Sequence, residues 1–117
     1  MIAHPEYVAG AGQLDTELMK AGSASILSKA GAEGLHGVAA LAPGIGYVSK
    51  VLDGNARARA PSTLAILLAR GVVGDREAGE LARFVRPKVY NRAGRAVGEI
   101  RVAPHVAVEK AWRVGSL

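Results

Sequence analysis

The apolar positions of this chain fall in short runs cut by glycine and proline, and their spacing changes along the sequence. Ala24–Lys29, Leu35–Leu41 and Ile45–Leu52 are short apolar runs of strand length. Between the second and third, Ala42-Pro43-Gly44-Ile45 places proline second and glycine third in a four-residue turn, a type II signature. Leu35–Leu52 is therefore predicted to be an antiparallel hairpin. Alternation across Tyr47–Leu52 is imperfect, which predicts partial cover on both faces. Further on the spacing becomes helical. Pro61 opens a helix in its first turn, Leu64, Leu67 and Leu68 share one face, and Gly71 ends it. A second helix starts at a capping Asp75, buries Leu81, Phe84 and Val85, and stops at Pro87. Upstream, Pro5 and Gly10-Ala11-Gly12 make residues 1–13 a loop. Asp15 is the expected N-cap of a short helix to about Ala21, with Gly22 just past its end. Tyr90–Arg95 reads as a turn around Asn91 and Gly94, Ala96–Val102 as a last strand, and 103–117 as a weakly patterned tail.

This order predicts an α+β fold, an antiparallel sheet with helices packed on one face. A chain of 117 residues is one domain or part of one. Half of it is apolar but only 4% aromatic, with 15 glycines, so the core is small, aliphatic and rich in tight turns. Disorder of the whole chain is excluded.

Charge and cysteine content remove several function classes. There is no cysteine, hence no disulfide scaffold and no cysteine-based zinc site. No basic, apolar leader opens the chain and no run reaches membrane-spanning length, so the expected location is cytoplasmic, with no membrane partner. The net charge of +5 raises nucleic acid as a partner. The densest basic group is Arg83, Arg86, Lys88, Arg92, Arg95 and Arg101, and few aromatics are available to stack on bases. A solvated basic face is the simpler reading.

The richest segment is Ser28-Lys29-Ala30-Gly31-Ala32-Glu33-Gly34 with Lys50-Val51-Leu52-Asp53-Gly54-Asn55-Ala56-Arg57. A lysine at a strand end leads into a glycine turn, where bare peptide groups and a cation can approach one small anionic ligand. Glu33 is either a turn carboxylate or a pocket residue orienting Lys29 or a substrate amino group. Asp53-Gly54-Asn55 is ordinary turn chemistry, or a loop at a pocket mouth. His4, His36 and His105 have no metal-site spacing. No nucleophile elbow or phosphate loop is present.

Taken with His4-Pro5-Glu6-Tyr7-Val8-Ala9-Gly10, Asp15-Thr16-Glu17-Leu18-Met19 and Asn91-Arg92-Ala93-Gly94-Arg95-Ala96-Val97-Gly98, these segments resemble the C-terminal third of the L-asparaginase II family, the rhizobial-type asparaginases. The resemblance runs from residue 1 to about residue 102. It implies a fold like the serine β-lactamases and glutaminases and hydrolysis of L-asparagine to L-aspartate and ammonia. It also implies serine-based catalysis in which a C-terminal lysine, here Lys29, takes part. Gly31, Glu33, Asp53 and Asn55 become the substrate-binding set. The family's cysteine metal ligands have no counterpart, one of them falling near Asp15, so neither metal nor cofactor is carried over.

The family's Ser-x-x-Lys is missing. The residues three before Lys20, Lys29, Lys50, Lys88 and Lys110 are Glu17, Ile26, Tyr47, Val85 and Ala107. The expectation is thus a C-terminal portion of an asparaginase, inactive alone, whose partner is a missing N-terminal half or another chain. A homo-oligomer is a further possibility. The alternative readings are a non-catalytic partner subunit or gene remnant, and a small basic nucleic-acid-binding domain.

Overall fold

In the computed structural model, residues 3–23 and 25–103 are described; Ala24, most of the tail and His105 lie outside them. Three antiparallel strands form the main sheet in the order β1-β2-β3: β1 (Ile26–Ala30), β2 (Leu35–Ala40) and β3 (Ile45–Lys50). The register pairs Ser28 with Val38 and Val38 with Tyr47, so Ile26, Ser28, His36, Val38, Ala40, Tyr47 and Ser49 face one way. Against that face lie α2 (Leu14–Ala21) and α3 (Arg59–Ala69). Leu14 and Leu18 of α2 and Leu64 and Leu67 of α3 meet Ile26 and Val38, with Val73 and Leu81 completing the core.

The other face of the sheet carries Leu27, Lys29, Leu35, Gly37, Gly46, Val48 and Lys50 and is largely open. Val48 is 77% exposed. Burial along β3 alternates strictly, so cover falls on one face only, against the expectation of cover on both. The α+β class, with helices on one side of an antiparallel sheet, is as expected.

Local signals place most element ends. Gly71, at φ +70, closes α3: its N–H meets Leu68 O and the Val72 N–H meets Leu67 O, the paired bonds of a Schellman cap. The β2–β3 turn is shifted by one residue from its prediction. Gly44 N–H bonds Leu41 O, and glycine takes the left-handed position, φ +68, as the last turn residue. Pro5 begins a four-residue helix α1 (Glu6–Ala9) where a loop is predicted, and the Thr16 hydroxyl ties that segment down through Gly10 O.

Three further differences have clear causes. The helix expected from Asp75 divides into α4 (Asp75–Glu80) and α5 (Ala82–Val85), with Gly79 weakening its last turn and Leu81 drawn into the core. Its N-cap is Gly74 rather than Asp75, and the Glu77 carboxylate accepts the Gly74 N–H. The last strand pairs with a strand that sequence reading missed: β4 (Lys88–Tyr90) and β5 (Ala96–Glu99) form a separate hairpin. Asn91 closes it, its side-chain oxygen accepting the Ala93 and Arg95 N–H groups. Every residue of both strands is exposed, so nothing draws the hairpin onto the main sheet.

Candidate functional site

Lys29 is the penultimate residue of β1 and points from the open face, where its ammonium donates to Ala30 O at 2.6 Å. Beside it is a shallow groove of about 310 Å³, floored by Gly37, Ala39 and Gly46 and walled by Leu27 and Val48. Small residues on β2 and β3 make the groove. Side chains of ordinary size at Gly37 and Gly46 would fill it.

The glycine turn after β1 is built as its letters suggest, with different residues in the strained places. Gly31 is close to Leu35: an added Cβ would lie 3.0 Å from Leu35 Cδ2. Gly34 has φ +76 and Glu33 has φ +56, so a glutamate occupies the left-handed region beside a glycine. Gly34 O accepts the Val51 N–H at 3.1 Å, and Gly54 is packed against Glu33. The turn at 31–34 and the Asp53-Gly54-Asn55 turn are thereby neighbours at one end of the sheet.

Their side chains are engaged locally. Asp53 accepts the Asn55 N–H at 2.9 Å and pairs with Arg57 at 3.0 Å. The backbone bond from Asn55 above all, helped by the charge and hydrogen bond of Arg57, holds the Asp53 carboxyl below the usual aspartate range against the opposing effect of desolvation. Asn55 accepts the Arg57 N–H and starts a 3₁₀ turn, Ala56–Ala58. Glu33 reaches Lys50, 3.9 Å away, and Lys50 also donates to Glu33 O. Among the described residues Lys29 forms no ion pair, so the partner of Glu33 is Lys50. Gly31, Glu33, Asp53 and Asn55 come together; Lys29 shares with Lys50 the open face beside them.

A second polar cluster is buried on the inner face. Asp15, Ser28 and His36 are 3%, 1% and 1% exposed. Asp15 was expected to cap α2, but Gln13 is the N-cap and Asp15 sits inside the first turn, its carboxylate directed into the core. The correction has a physical cause: Asp15 Oδ1 takes hydrogen bonds from the Ser28 hydroxyl and, at 2.8 Å, from His36 Nε2, and Oδ2 takes the Ala30 N–H at 2.9 Å. Burial alone would raise this carboxyl. The bonds from His36, Ser28 and Ala30 and the nearness of the imidazole outweigh it and bring the pKa from 3.8 down to about 2.

With Asp15 ionised, the proton between it and His36 belongs on Nε2, which leaves Nδ1 facing Thr63 Oγ1 at 3.4 Å. Thr63 in turn lies 3.4 Å from Ser49 Oγ. The network joins α2, all three strands and α3.

Serine, histidine and aspartate are all present, but the order is wrong for nucleophilic catalysis. In a relay the aspartate holds one imidazole nitrogen while the serine meets the other. Here Ser28 (2.9 Å) and Asp15 (2.8 Å) both meet Nε2, and all three groups are sealed from solvent. The cluster holds the elements in place. In the sequence His36 has no metal-site spacing, and the available signal is Ser28 and His36 among the inward positions of two predicted strands.

Elsewhere, Arg83 of the basic group bonds Gly12 O at 3.0 Å, pinning α5 to the loop before α2. Among the described residues no three His, Cys, Asp or Glu converge as metal ligands, and no helix is long and apolar enough to cross a membrane. Compared with known proteins, residues 1–102 match the model of the family described as L-asparaginase II. No curated protein matches the chain.

Proposed function

The chain belongs to the L-asparaginase II family, and on that premise we propose that it contributes Lys29 to the hydrolysis of the L-asparagine side-chain amide. The family match carries this reading. It is supported by Lys29 having no carboxylate partner among the described residues and lying exposed on the open sheet face, beside a groove and two glycine turns.

In the proposed reaction a serine hydroxyl adds to the amide carbonyl. The carbon–nitrogen bond of the resulting tetrahedral intermediate breaks, ammonia leaves with a proton, and water hydrolyses the acyl ester to aspartate. A serine hydroxyl is a weak nucleophile at neutral pH and needs an adjacent base or a cation at the developing oxyanion. Lys29 is assigned one of those roles. The Gly31–Gly34 turn, with Glu33, and the Asp53–Asn55 turn are assigned to substrate. The serine is assigned to a polypeptide segment beyond these 117 residues, since the sequence has no Ser-x-x-Lys.

The test is ammonia release from asparagine. The chain alone is expected to give none above a Lys29→Ala control, because groups acting as a unit lose most of their effect when one is absent. Supplied with an N-terminal portion of an L-asparaginase II protein, it is expected to become active. Lys29→Met should then lower kcat by roughly 10²-fold or more, and Lys50→Met much less. Turnover by the chain alone, or loss of activity in Lys50→Met but not Lys29→Met, refutes the assignment.

A further inference from the structure

The groups that hold Lys29 lead back to α2. The Lys29 ammonium donates to Ala30 O at 2.6 Å. The N–H of the same residue, Ala30, donates to Asp15 Oδ2 at 2.9 Å. On the other side of Lys29, the Ser28 hydroxyl donates to Asp15 Oδ1. One buried carboxylate thus grips both chain neighbours of the lysine.

This end of β1 has little else to hold it. β1 is an edge strand, paired only with β2. The Gly31 N–H bonds Leu35 O, and successive N–H groups of an antiparallel strand point to opposite edges, so the Ala30 N–H points away from β2. Beyond Ala30 the chain enters the glycine turn, where Glu33 and Gly34 take left-handed conformations. Among the described residues no further strand covers the outer edge here; the Asp15 carboxylate takes its place. That carboxylate is itself fixed. It sits in the first turn of α2, 3% exposed, and His36 Nε2 donates to Oδ1 at 2.8 Å. With two acceptor oxygens it can hold a side chain and a main-chain N–H at once.

We propose that Asp15 is a positioning residue for Lys29. Through the Ser28 hydroxyl and the Ala30 N–H it fixes the end of β1, and through Ala30 O the Lys29 ammonium, in the place that contact with the serine requires. Sealed from solvent, Asp15 itself does not meet substrate. This role rests on the assignment of Lys29 to the reaction. It goes beyond the stability that the cluster supplies, because a reacting group misplaced by about 1 Å loses roughly 10²-fold in rate.

Two measurements on Asp15→Ala test this, with Leu67→Ala as the control for lost stability. Leu67 is buried on α3, outside the hydrogen-bond network of Asp15. In the 117-residue chain, ¹⁵N relaxation should show backbone order parameters at Lys29, Ala30 and Gly31 falling from about 0.85 towards 0.6, with β2 and β3 unchanged. In the chain supplied with an N-terminal portion of an L-asparaginase II protein, kcat per folded molecule should fall about tenfold or more, with KM within about twofold. Leu67→Ala should alter neither quantity. If Asp15→Ala does not fold, Ser28→Ala, which leaves the Ala30 bond, carries both comparisons with smaller changes of the same kind. Unchanged order parameters at 29–31 in the folded variant overturn the proposal. So does an unchanged kcat in an enzyme that needs Lys29, or a loss of kcat matched by Leu67→Ala. An active Lys29→Met enzyme refutes instead the assignment of Lys29, and the order parameters then decide by themselves whether Asp15 holds the strand end.

Discussion

Replacing Asp15 with asparagine should both destabilise the protein and flatten its response to acid. The carboxylate is buried on α2 and takes three hydrogen bonds, from Ser28, His36 and the Ala30 N–H. Asparagine keeps the shape but presents an NH₂ group to at least one of these donors and removes the charge. Losing charged hydrogen bonds in the core should cost about 2–4 kcal/mol at neutral pH. The acid response follows from linkage. Asp15 falls from 3.8 to about 2 on folding, so the folded state holds the deprotonated form more tightly. Its contribution is complete above the unfolded value and is lost as pH falls from about 4 towards 2. A drop of just under two units corresponds to about 2 kcal/mol. Urea unfolding followed by far-ultraviolet circular dichroism, at pH 6 and at stepwise lower pH, measures both effects. Asp53 and Glu77 are also held below their usual ranges, so wild type loses further stability in acid for reasons the variant shares. The difference between the two proteins isolates Asp15 and should shrink by about 2 kcal/mol between pH 5 and pH 2. Ser28→Ala, which removes one donor, should show a smaller loss and keeps the comparison available if Asp15→Asn does not fold. Equal stability at neutral pH, or parallel acid profiles, would refute the reading of this cluster.

Other perturbations test the packing and the turns. Gly34→Ala places a Cβ 2.7 Å from Val51 Cβ at φ +76, while Gly44→Ala at φ +68 meets nothing within 4 Å; thermal melts should show roughly 1–2 kcal/mol lost at Gly44, from backbone alone, and clearly more at Gly34. Leu67→Ala empties a fully buried position between α3 and the sheet and should cost about 2–5 kcal/mol by urea titration. The open sheet face, with Val48 77% exposed on the edge strand β3, should make the chain self-associate. Val48→Lys should shift it towards monomer in size-exclusion chromatography, and a clean wild-type monomer at high concentration would count against this.

The elements whose cause is local were legible in the letters. The strand runs at 26–30, 35–40 and 45–50, the helix ended by Gly71 and the turn around Asn91 each depend on residues within a few positions of one another. Short-range hydrogen bonds and glycine conformations fix these, so spacing suffices. The same holds for the two turns of the candidate substrate site, whose composition announced tight backbone before their adjacency was known. Family membership was legible for a related reason: it is carried by contiguous motifs spread over residues 1–102.

What only the tertiary structure decided depends on distant residues meeting. Asp15 looked like a helix cap because an aspartate before a helical run usually is one. Its actual partners, Ser28, Ala30 and His36, lie 13 to 21 positions away and come within reach only once β1 and β2 pack on α2. Glu33 is joined to Lys50 rather than Lys29 because the turn brings it towards the end of β3. Whether one sheet face or two would be covered was likewise undecided along β3. Alternating side chains say which residues share a face, but what lies over each face depends on where α2 and α3 run.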